Sequence, residues 1–165
     1  MPGCGKTTFG KKLARLLGYD FLDLDSYIEE LNTTTVESIF EQEGEPAFRQ
    51  KEQEALHKTN TLQRTIIATG GGCVSYANNM YWMKQIGLTV YLNAPIALLC
   101  DRLMGAKSSR PMLKGLKKEG ILEFITQKLA EREPKYLQAD IIIDVPIKSA
   151  ESLVKHSIKP YLKEA

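Results

Sequence analysis

At 165 residues and 18.5 kDa the chain has room for one domain and no second large one. Twenty-two Lys and Arg against 20 Asp and Glu leave a net charge of +2, which argues against a basic nucleic-acid face, and 43% hydrophobic with 25% charged residues exclude a disordered chain. Three cysteines without CxxC spacing (Cys4, Cys73, Cys100) exclude a disulfide framework or a zinc ribbon and fit a reducing cytoplasm, and the absence of long apolar runs predicts neither a membrane span nor a secretion signal.

The first predicted helix begins near Lys6. Its apolar residues Phe9, Leu13, Leu16 and Leu17 share one face, and Gly18 stops it. YDFLDLD then reads as a short strand. A polar helical stretch from Tyr27 to about Asn60 follows, broken near Gly44-Glu45-Pro46. Thr65–Ala68 reads as a buried strand running into Gly70, Gly71 and Gly72. Residues 76–86 read as helix, 88–92 as strand and 96–104 as helix. The segment 105–120, GAKSSRPMLKGLKKEG, is glycine-rich and basic, and its composition suits a flexible lid. A helix from Ile121 to about Leu137, a strand at 141–143 and a last amphipathic helix complete the chain. No internal repeat is present. Short apolar strands alternating with helices predict an α/β domain, a parallel sheet with helices on both faces. Ligands of such sheets bind beyond the carboxyl ends of the strands, where DLD and TGGG fall.

MPGCGKTT matches the second half of G-x-x-x-x-G-K-[ST]. Its glycines let backbone N–H groups curl around a phosphate at a helix N-terminus. Lys6 then reaches the β and γ phosphates, and the Thr7 hydroxyl is a Mg²⁺ ligand. The bland reading is a glycine-rich tail ahead of a helix. The motif's first glycine falls one position before Met1, and the strand that normally precedes such a loop is not in the sequence. That strand is therefore expected upstream, and the chain without it is expected to have unpaired strand edges and to fold poorly.

Asp23 and Asp25, at i and i+2 of a predicted strand end, point the same way. One suits Mg²⁺ through water and the other a substrate hydroxyl. Helix capping by Asp25-Ser26 explains them equally well on spacing alone. Three glycines after an apolar strand require close approach of a ligand or positive φ. Arg49, Arg110 and Arg132 each have a bland reading as solvated or i,i+4-paired arginines, and Arg110 in the basic loop also suits a clamp on transferring phosphates. His57, His156, Trp82 and the methionines read as packing, and Cys4 as an incidental small residue in the phosphate loop.

The order GxGKTT, FLDLD, GEPAFR, TGGG, SSRPML, REPKY resembles the shikimate kinase family over nearly the whole chain, within the nucleoside-monophosphate-kinase-like branch of P-loop proteins. The resemblance implies transfer of the ATP γ-phosphate to the 3-hydroxyl of shikimate, with Mg²⁺, in chorismate and aromatic amino-acid synthesis. It implies a single cytoplasmic domain over 1–165, a monomer that binds neither nucleic acid nor membrane. Gly3, Cys4, Gly5, Lys6, Thr7 and Thr8 match the nucleotide loop, Arg102 a base contact, and Arg110 the lid arginine. Thr7 and Asp23 match the Mg²⁺ side. Asp25, Arg49, Gly70, Gly71, Gly72 and Arg132 match the shikimate pocket, with Asp25 accepting the proton. Lys6, Asp25 and Arg110 carry the catalytic roles. Gluconate kinase shares the loop and the size but is not expected to carry GEPAFR, TGGG and the REPKY arginine together. A nucleotide-binding regulatory domain and an inactive truncation are the remaining rivals.

Overall fold

The computed structural model describes residues 1–105 and 116–162. Helix α1 (Lys6–Leu17) starts after Gly5 and ends at Gly18, both in left-handed conformation. The Gly18 N–H returns to the last turn. Strand β1 (Asp20–Asp23) follows, then α2 (Leu24–Asn32), α3 (Val36–Gln42) and α4 (Gly44–Lys58). The predicted helical stretch is thus three helices. Thr33 at φ 52 breaks it first, and Gly44 at φ 83 breaks it where the sequence indicated. Strand β2 (Thr65–Ala68) leads into the glycines, and α5 (Asn79–Ile86) into β3 (Val90–Asn93). Helices α6 (Ile96–Gly105) and α7 (Lys118–Tyr136) flank the segment outside the described residues. Strand β4 (Ile141–Asp144) precedes α8 (Ala150–Leu153), which passes into a π turn and a 3₁₀ turn. The single long terminal helix expected from the apolar spacing is therefore three short pieces, with Val154 and Ile158 still inward and Tyr161 exposed.

The strands pair in parallel, β1 with β2 (Phe21 opposite Ile66) and β3 with β4 (Tyr91 opposite Ile142). They form two two-stranded sheets, so the one continuous sheet expected from the βα repetition is divided. Between β2 and β3 lies an apolar cavity of about 410 Å³. Ile66, Ala68, Val90 and Leu92 line it with Leu13 of α1 and Met1. Parallel ladders need strands about 4.8 Å apart, and a gap wide enough to hold a cavity precludes direct β2–β3 pairing.

Two apolar clusters hold the fold. Leu99, Ile125, Ile143, Val154 and Ile158 anchor the larger one, on the β3–β4 side. Leu24, Ile28, Ile39, Phe48 and Leu56 anchor the one built by α2, α3 and α4. Gly10 lets α1 approach β1, because a Cβ there would sit 2.7 Å from the Phe21 ring. His57 stacks on Trp82 at 4.6 Å, in keeping with a packing role. Among the described residues, no helix is long and apolar enough to cross a membrane.

Candidate functional site: a phosphate loop beside a glycine-walled pocket

Gly3 and Gly5 take φ of 79° and 96°, which turns the loop ahead of α1. The unpaired N–H groups of that first turn supply an anion site. Arg102, from the last turn of α6, donates through Nη1 to the Gly3 carbonyl at 3.0 Å, so its guanidinium sits on the loop. Lys6 Nζ donates to the Met1 carbonyl at 2.8 Å. Cys4 is buried in the core, which leaves its backbone to face a nucleotide. A cavity of about 660 Å³ opens beside the loop, between Lys6, Thr8, Arg102 and the Pro146–Ser149 segment.

Thr7 donates its hydroxyl to Asp23 Oδ2 at 2.9 Å. Asp23 ends β1 and caps α2, where Oδ1 accepts from the Asp25 N–H at 3.2 Å. This corrects the strand-end geometry inferred for the two aspartates. Asp25 already lies in the first turn of α2, because the Asp23 carboxylate captures its N–H and starts the helix there. The capping role falls to Asp23 and not to Asp25-Ser26. Among the described residues no group of three or more His, Cys, Asp or Glu is arranged to hold a metal ion by itself. A hydroxyl and one carboxylate, 2.9 Å apart, would suit a Mg²⁺ ion brought in with a nucleotide.

The second half of the site surrounds the glycines after β2. Gly70–Gly72 all avoid positive φ, so conformation does not require them; room requires Gly70 and Gly72, whereas a Cβ on Gly71 would meet Met1 and Pro2 at ordinary contact distance. A Cβ on Gly70 would strike Glu52 Oε1 and come within 3.3 Å of Asp25 Oδ1, and one on Gly72 would strike the Arg49 guanidinium. Arg49 Nη1 donates to Glu52 Oε2 at 2.7 Å, and Nη2 to Glu45 Oε1 at 2.9 Å. One turn of α4 on either side of Arg49 thereby fixes its guanidinium plane. Glu52 is fully buried, and burial pushes its carboxyl up while Arg49 opposes the shift. For Arg49 burial works against the charge, but Glu52 and Glu45 more than offset it, and its pKa rises. Glu52 Oε1 and Arg132 Nε are both buried without a hydrogen-bond partner.

The structure thus brings together Asp25, Arg49, Gly70–Gly72 and Arg132 on one side, and Gly3–Thr8, Asp23 and Arg102 on the other. Arg110 and most of the 105–120 lid segment lie outside the described residues. Its ends are helical, since α6 runs through Gly105 and α7 begins at Lys118, earlier than the Ile121 start expected. Sequence reasoning missed Glu52, Glu45 and the Pro146–Ser149 wall of the nucleotide cavity. The only signal for the glutamates was i−4 and i+3 spacing from Arg49, which equally describes solvated pairs. Nothing in the sequence pointed to the third.

A phosphate loop opening a helix, a Thr–Asp pair at the adjoining strand end and parallel strands define a P-loop kinase. The family model for shikimate kinase matches residues 2–161. The chain is 44% identical over 140 residues to the shikimate kinase of Bacteroides fragilis (85% of this chain, 78% of that one). It is 42% identical over 150 residues to that of Parabacteroides distasonis (91% and 87%). Among solved structures, the shikimate kinase of Bacteroides thetaiotaomicron matches with a TM-score of 0.86 at 40% identity, covering 93% of this chain and 89% of that one. The shikimate kinase of Acinetobacter baumannii in complex with shikimate matches with a TM-score of 0.80 at 36% identity, covering 93% and 85%. The chain belongs to the shikimate kinase family.

Proposed function

We infer that this chain transfers the γ-phosphate of ATP to the 3-hydroxyl of shikimate, and that the glycine-walled pocket is the acceptor site. The observation that carries the pocket assignment is the convergence of two arginines, an aspartate and two unpartnered buried polar atoms on a wall without side chains, beside the phosphate loop. Shikimate presents one carboxylate and three hydroxyls. Arg49, held flat by its two glutamates, and Arg132 bind the carboxylate through charge-assisted hydrogen bonds. Asp25, beside Gly70, accepts from a hydroxyl and takes its proton as the oxygen attacks.

ATP is the second substrate, and Mg²⁺ bound with it neutralises developing phosphate charge. The N–H groups of Gly3–Thr8 would hold the phosphates, Lys6 would leave the Met1 carbonyl for them, and Thr7 and Asp23 would hold the metal. Arg102 steadies the loop from behind through Gly3, on the side where the base lies. Arg110 closes the charge clamp, the role its motif implies. Positioning and charge neutralisation supply most of the acceleration in phosphoryl transfer, and these residues provide both.

The chain acts in the cytoplasm as a single-domain monomer that binds no nucleic acid. Its three free and buried cysteines and its near-balanced charge support that assignment. ADP release measured with ATP and Mg²⁺ against shikimate, gluconate and nucleoside monophosphates tests the reading. Turnover with shikimate alone is expected, and turnover with gluconate and none with shikimate overturns it.

A further inference from the structure

The three wall glycines have no side chains to pack, so hydrogen bonds must fix their backbone. Gly70 accepts from the Cys73 N–H at 3.3 Å and Gly72 from the Ser75 N–H at 3.0 Å, both inside the local turn. The middle carbonyl is held from elsewhere. Tyr136, at the end of α7, donates its hydroxyl to the Gly71 carbonyl at 2.5 Å across 65 residues of sequence.

Tyr136 is itself well fixed. It is buried at 6% exposure and stacks on Tyr91 with ring centroids 5.0 Å apart. It lies one helical turn beyond Arg132, so the two share a face of α7. Burial pushes its phenol up to about 12, with the Arg132 guanidinium opposing, so the hydroxyl remains a donor at every pH where the protein works.

We propose that Tyr136 is a positioning residue for the acceptor site: its hydroxyl locks the Gly71 carbonyl to α7 and so sets the distance between the glycine wall and Arg132. The proposal rests on the reading of the glycine-walled pocket as the shikimate site. The wall and Arg132 come from opposite sides of the fold, and this bond is a direct tie between them. Losing it lets the wall drift by a fraction of an ångström relative to the arginine. The acceptor then binds less well, while the side chains assigned to ATP, none of them bonded to Tyr136, keep their own contacts.

Tyr136→Phe keeps the ring, its burial and the stack, and removes the hydroxyl with its bond to the Gly71 carbonyl and its contact with Arg132. Shikimate KM is expected to rise about three- to tenfold, the effect of one hydrogen bond. The KM for ATP, and kcat within about twofold, should change less, because Tyr136 bonds none of the side chains assigned to ATP, although Gly71 packs on Met1 and Pro2 ahead of the loop. Tyr91→Phe is the control, since the Tyr91 hydroxyl points to Asn93 at 3.4 Å and not to the wall. An unchanged shikimate KM in Tyr136→Phe overturns the proposal. So does an equal rise in both variants, or a joint rise of both KM values with a lowered melting temperature, which marks a merely structural role. Arg49→Ala, assayed alongside, separates the two levels. If it leaves shikimate KM unchanged, the pocket reading fails. If it raises KM while Tyr136→Phe does not, only the positioning role fails.

Discussion

The Thr7 hydroxyl donates to Oδ2 of Asp23 at 2.9 Å, joining the first turn of α1 to the end of β1 across 16 residues. The pair has the spacing of two groups that trade a mutual hydrogen bond for a shared cation. Thr7→Ala and Asp23→Asn should each raise the Mg²⁺ concentration for half-maximal rate by about tenfold, with Thr7→Ser close to the parent. Asparagine keeps the cap on α2, so melting temperature should hold in Asp23→Asn. A Mg²⁺ titration of initial rates checks this. An unchanged midpoint removes the pair from the metal site.

Glu52 braces Arg49 from a fully buried position. In Glu52→Gln the guanidinium loses its charged partner and its fixed plane. Loss of a charge-assisted bond of about 1.5–3 kcal/mol corresponds to about ten- to hundredfold in kcat/KM for shikimate. Arg49→Ala and Arg132→Ala should lose about as much. Saturation curves in shikimate at fixed ATP measure all three. A Glu52→Gln enzyme with parental kcat/KM shows that Glu45 alone suffices.

Arg110→Ala separates binding from chemistry. A charge that meets the phosphates only as they transfer stabilises the transition state over the bound ground state. The variant should lose kcat with shikimate affinity little changed. A change confined to shikimate affinity rejects the clamp.

Asp140 sits just before β4 and clasps β3 and α5. Its carboxylate accepts from the N–H and hydroxyl of Thr89, and Oδ1 pairs with Lys84 at 2.7 Å. Burial opposes the charge, but those bonds outweigh it and hold the carboxyl at about 2 against an ordinary 3.8. A depressed folded-state pKa adds stability above about pH 4 that disappears as pH falls toward about 2. Asp140→Asn should therefore be less stable than the parent at about pH 7, by about 1 kcal/mol given its partial exposure. The two should converge near the lower end of that range. Calorimetry at both pH values checks it, and a gap independent of pH contradicts the electrostatic account.

The slot between β2 and β3 predicts a response to an added strand. Each buried unsatisfied backbone group costs about 1–3 kcal/mol, and several along two edges approach the whole stability of a domain, about 5–15 kcal/mol. A variant with about eight residues ahead of Met1, a strand of ordinary length ending in the motif's first glycine, should melt more sharply and higher than the 165-residue chain and show a larger shift with ATP. Matching melts for the two lengths refute the idea that the slot takes a strand.

Much of this was legible in the residues, for identifiable reasons. Gly5-Lys6-Thr7 marks a helix start because only glycine turns that tightly and the next residues begin an amphipathic face. Gly70–Gly72 mark a wall because glycine after an apolar strand needs a cause outside local structure. Glu52 was not legible, because burial of a helix glutamate depends on a partner surface, here the glycine loop, that comes from another part of the chain. Asp25 was misplaced by one element, since β1 and α2 meet without a connecting residue and period-2 logic runs past the join. The division of the sheet was legible only as an unmatched loop motif, not as geometry.

That division also splits the acceptor pocket by origin. Asp25, Arg49, Glu52 and the glycines belong to the β1–β2 half with α2 and α4, whereas Arg132 rides on α7 with the β3–β4 half. The width of the slot therefore bears on the gap between Arg49 and Arg132, the two arginines proposed to grip one carboxylate. Gly70 and Gly71 themselves line the slot, so a change in its width passes directly to the wall of the proposed pocket.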